Sequence, residues 1–152
     1  MSTSTNETTN STQNERVVPI GKLWRVGLIA AVAAASVNLV YFFVTKSVFD
    51  IPYIIMRGPS GPSISIDAPI IIIFNVVPAI GATILLAVLG RLLSRPFRAF
   101  WIISVGVFLV SFMLPLGMPS SVEPSTKIGL SLMHIPAGAI ILGVLTRRGR
   151  ER

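Results

Sequence analysis

The stretch Ala68–Gly90, APIIIIFNVVPAIGATILLAVLG, runs 23 residues without a charged side chain. At ~1.5 Å per helical residue it reaches ~34 Å, enough to cross a hydrocarbon core of ~30 Å. Pro78 and Gly81 stand in its middle. Both would weaken a soluble helix, but membrane helices tolerate them because neighbouring helices satisfy the freed backbone groups. Asp67 and Arg91 bracket the stretch. This segment predicts an integral membrane protein.

The rest of the chain agrees. Of 152 residues, 52% are hydrophobic and 12% charged, against about 25% charged in a soluble domain. There is room for one bundle and no second folded domain. Cysteine is absent, which excludes disulfides and thiolate metal sites on this chain. Three further spans follow from charge-free apolar runs: about 23–45, rich in alanine; about 99–118; and about 128–146, with His134 and Pro136 inside. The fold expected is an all-α, antiparallel four-helix membrane bundle over residues 23–148. Residues 1–22, dominated at first by Ser, Thr and Asn, are expected to form a disordered cytoplasmic tail. Residues 149–152 form a basic one.

The long connection 46–67 is not a simple polar loop. Two short β-like runs, around Ile51–Ile55 and Ile64–Ile66, flank the turn Gly58-Pro59-Ser60-Gly61-Pro62. They suggest an extracytoplasmic hairpin; an irregular loop dipping into the interface is the alternative.

Charge sets the expected orientation. With the N-terminus inside, ten basic residues flank the cytoplasmic side: Arg16, Lys22, Arg25, Arg91, Arg95, Arg98, Arg147, Arg148, Arg150 and Arg152. Only Lys46, Arg57 and Lys127 lie outside. The positive-inside rule then places both termini in the cytoplasm of a cell-membrane protein. Trp24 and Trp101 fall at the inner interface, where indoles are enriched. The basic flanks would attract anionic lipid head groups. A protein partner or a homo-oligomer is compatible with this pattern. Nucleic acid is not an expected partner, since no basic stretch coincides with a soluble module.

Depth gives the one polar pattern. Asn38, Asn75, Ser111 and His134 each lie six or seven residues inward from the outer end of their span, ~10 Å below the boundary. Tyr41 lies one turn from Asn38, and Ser131 one turn from His134, on the same faces. Such a layer is ordinarily interhelical glue. It also suits a small outward-facing polar site with His134 as its only titratable group. The spans hold no Cys, Asp or Glu, so His134 has no obvious companion ligand and no cofactor or metal is expected. A proton antiporter would need a carboxylate in a span. No phosphate loop or nucleophile–base pair is recognisable. The chain therefore reads as a non-enzymatic structural or partner-binding membrane protein. A transporter or small-ligand binder using the polar layer is the alternative.

Several stretches carry a resemblance: AAASVNLVYF around Asn38, Val76 to Ala79 in the second span, Arg95-Pro96-Phe97-Arg98, Pro115-Leu116 and Leu132-Met133-His134. Over about Leu23 to Arg148 the layout resembles a family of bacterial four-helix membrane proteins of unknown function. The resemblance implies the four-helix fold and no catalytic residues.

Overall fold

A computed structural model describes residues 16–56 and 61–150. Four long helices pack together: α1 (Ile20–Val48), α2 (Ala68–Leu92), α3 (Pro96–Leu116) and α4 (Pro124–Arg148). All four are long and apolar enough to cross a membrane. They begin or end up to four residues away from the expected spans. Proline accounts for two of these shifts. Pro96 and Pro124 occupy the first turns of α3 and α4, where a missing N–H costs nothing and φ is already helical. At the other end of α3, Gly117 caps the helix just after Pro115. The expected tail over 1–22 falls partly on residues 1–15, which lie outside the described residues. Within that range α1 already begins at Ile20.

The connection between α1 and α2 contains a hairpin. Strands β1 (Ile54–Met56) and β2 (Ser63–Ser65) pair antiparallel, with Ile55 opposite Ile64. The Ile66 N–H donates to the Tyr53 carbonyl at 2.8 Å, extending the ladder by one step.

Helix α1 is the hub. It packs on α2 and α4, α3 packs mainly on α4, and the α2–α3 seam is thinner. Of its apolar window 44% is buried, against 11% for α3. The reason is in the side chains. Ala30, Ala31, Ala34 and Ala35 are buried together, and small residues let membrane helices approach closely. One turn earlier, a Cβ on Gly27 would run into Thr83 Oγ1 of α2. Large apolar residues such as Leu28, Val40, Ile73, Val77, Ile102 and Val110 remain exposed on the bundle surface. On a soluble protein this would be an aggregation hazard; in a bilayer it is the lipid face.

Two apolar clusters fill the interior. One gathers Leu23, Ala34, Ala79, Leu86, Phe100 and Leu145. The other gathers Phe42, Tyr53, Ile66, Ile71, Leu130 and Met133 near the hairpin. At the opposite, basic end, residues flanking the helices meet. The Val18 N–H donates to the Gly149 carbonyl at 2.9 Å, the Arg150 guanidinium lies 4.7 Å from the Phe97 ring centroid, and Val17 covers Gly90.

Candidate functional site

The polar residues singled out in the sequence divide into two places. The first lies between the two apolar clusters. Asn38 Nδ2 donates to Asn75 Oδ1 at 2.8 Å and to the Met133 carbonyl at 3.1 Å. Asn75 Nδ2 donates to the Ile71 carbonyl at 2.7 Å. Each amide therefore faces a backbone carbonyl, which can only accept, and this fixes which end carries nitrogen. Asn38 thus ties α1 to α2 and α4 at one point. Both asparagines are buried. Asn38 Oδ1 and the buried Ser131 Oγ have no partner among the described residues. Tyr41 is half-buried on α1, one turn from Asn38.

The second place is a cleft of about 370 Å³ between α2, α3 and α4, lined by both Ser111 and His134. It follows the thin seam between α2 and α3. Pro78 and Gly81 of α2 form one wall, and Ser104 and Phe108 of α3 the other. Gly138 of α4 lets Phe108 lie against the helix: a Cβ there would sit 2.8 Å from Phe108 Cδ2. Most of the lining is apolar, with a few convergent polar groups, and its volume lies in the ~300–1,000 Å³ range of small-molecule sites.

Two polar groups of the cleft are held by their own helices. Ser111 Oγ donates to the Val107 carbonyl at 2.8 Å. His134 Nδ1 lies 2.8 Å from the Leu130 carbonyl, so Nδ1 carries the proton of that bond. Ser111 and His134 share the cleft but not a hydrogen bond, so the serine is not set up as a nucleophile activated by the histidine. Neither meets the asparagine pair. Among the described residues, no three of His, Cys, Asp and Glu come together as a metal-binding group.

A third feature was not singled out in the sequence. Tyr53 follows the chain's exit from α1 and is fully buried. Its hydroxyl lies 2.6 Å from Thr45 Oγ1. Its ring packs on Phe42 at 5.0 Å between centroids and against Gly129 of α4. Thr45 gives its own proton to the Tyr41 carbonyl at 2.8 Å, so Tyr53 is the donor. Burial pushes the Tyr53 hydroxyl above its ordinary 10.0. The only signal in the sequence was a tyrosine among isoleucines in a loop too apolar to be solvated.

Residues 18–151 match the family of unknown function DUF6069. The chain belongs to this family. The match takes in all four helices of the DUF6069 chain, both asparagines and the whole cleft. No curated protein and no solved structure matched it.

Proposed function

We propose that the chain is a non-enzymatic, multi-pass protein of the bacterial cell membrane that holds a small lipophilic molecule between α2, α3 and α4. The cleft carries this reading. It lies at mid-bundle, between three helices that span the membrane in this arrangement, so it opens to hydrocarbon rather than to water. The bonds that tie Ser111 and His134 to their own helices favour binding over catalysis. A purely structural or partner-binding role rests instead on the Asn38–Asn75 link, which is interhelical glue.

The orientation proposed is antiparallel, with both termini cytoplasmic and the hairpin outside. Residues flanking the start of α1, the end of α2, the start of α3 and the end of α4 meet at one end, which supports alternation. That end also carries nine of the eleven described Lys and Arg residues, and anionic head groups are its natural partners.

Gly81 makes a clean test. It lines the cleft, and nothing lies within 4 Å of where its Cβ would be. Gly81→Leu should therefore fold normally and fill the cleft. Native mass spectrometry of the wild-type chain released from its own membranes should show a lipophilic adduct that Gly81→Leu loses. An adduct unchanged by Gly81→Leu, or no adduct at all, would return the structural reading to first place.

A further inference from the structure

We infer that the cleft selects a lipophile bearing a hydroxyl, which it grips as a hydrogen-bond donor. This rests on the reading of the cleft as a lipophile site. It goes further by naming the ligand's chemistry: an O–H group, alcohol or phenol, on an apolar body.

His134 and Ser111 each have a proton already committed. His134 Nδ1–H is used by the Leu130 carbonyl, so in this tautomer Nε2 presents a lone pair. The Ser111 proton goes to the Val107 carbonyl, so its oxygen also presents lone pairs. Pro78 of the α2 wall has no N–H to add as a donor. Ser104 is the one cleft hydroxyl whose proton makes no bond among the described residues.

A site with more open acceptors than free donors discriminates by simple chemistry. In hydrocarbon an unmet acceptor has no water to fall back on. A guest that brings an O–H satisfies one or more of these atoms. A guest of the same shape that can only accept, such as an ether, leaves them unmet and sets its own oxygen against them. Phosphodiester lipids without a free hydroxyl are acceptors too and should be poor guests. The apolar lining accommodates the hydrocarbon body either way, so shape alone predicts no preference.

The test uses the full chain in nanodiscs of phosphatidylcholine, a lipid that offers no hydroxyl. Two photoreactive probes are compared: a long-chain alcohol carrying a diazirine, and its methyl ether. Labelled peptides are mapped by mass spectrometry. The alcohol should label the α2 and α3 walls at about fivefold to tenfold lower concentration than the ether, the worth of one net hydrogen bond. A 4-alkylphenol should compete with the alcohol. His134→Leu should bring the two probes together, and Ser111→Ala should narrow the gap. If His134→Leu does not fold, the wild-type ratio and Ser111→Ala decide alone. Equal labelling of the cleft by both probes, abolished by Gly81→Leu, would overturn the donor assignment and leave a lipophile site. Labelling insensitive to Gly81→Leu, or spread equally over the lipid face at Leu109 and Val110, would overturn both.

Discussion

Tyr53 reaches Thr45 with its hydroxyl at 2.6 Å from a backbone held at φ 49°. A tyrosine seldom adopts this left-handed conformation, and burial of the ring among Phe42, Thr45 and Gly129 offsets the strain. Asp50, at φ 48°, makes a similar turn at lower cost, since short polar side chains enter that region more readily. Two left-handed residues in four turn the chain back from the end of α1 so that Tyr53 plugs the bundle.

Removing only the hydroxyl should show what this bond contributes. Tyr53→Phe should cost about 1 kcal/mol, the usual net worth of one hydrogen bond, read as a shift in thermal denaturation in detergent. The pH dependence is sharper. Burial raises the Tyr53 pKa; a turn of the Thr45 proton toward the phenolate offsets part of the rise, and nearby Tyr41 adds to it. The folded state thus favours the protonated phenol. Its stabilising contribution is fully present below pH 10.0 and is lost as pH climbs through the raised value. Wild type should lose stability more steeply than Tyr53→Phe above pH 10. Parallel curves for the two proteins would refute this role.

Gly27 and Thr83 measure how closely α1 and α2 approach. Gly27→Ala should destabilise by about 1–3 kcal/mol, the range for overpacking, because its Cβ meets the Thr83 side chain. In a Thr83→Ala background the penalty should fall by at least half. Equal penalties in both backgrounds would mean that the helices lie farther apart.

The asparagine pair should behave as a unit. Asn38→Leu and Asn75→Leu each leave a buried amide without its partner, at about 1–3 kcal/mol. The double variant should cost less than the sum, with a coupling of about 1 kcal/mol, within the range for membrane hydrogen bonds. Strict additivity in the double-mutant cycle would show that the 2.8 Å contact is not formed in the bilayer.

Hydrogen exchange tests the hairpin. The Ile66 amide, bonded to the Tyr53 carbonyl, and the paired strand residues Ile55 and Ile64 should exchange slowly in nanodiscs. The intrinsic exchange rates of an unfolded chain of the same sequence provide the fast reference. Rates as fast as that reference would remove the hairpin as an ordered cap.

The four helices were legible in the sequence because a bilayer imposes a one-dimensional rule: about twenty apolar residues, with charge pushed to the ends. Ala30 to Ala35 marked a face for close packing, and equal depth marked Asn38, Asn75, Ser111 and His134. Depth, however, is only one of two coordinates. Helix rotation and helix neighbours decide which polar groups meet, and in spans that are apolar all round the pattern of residues carries little rotational signal. Tertiary packing alone brought Asn38 to Asn75 and sent Ser111 and His134 to a separate cleft. It also turned Tyr53 inward, through two left-handed residues that no periodicity announces. The sequence by itself determined how many times the chain is suited to cross a membrane. The packing of α1 against α2 and α4, set by side-chain size where backbones nearly touch, decided where a ligand has room.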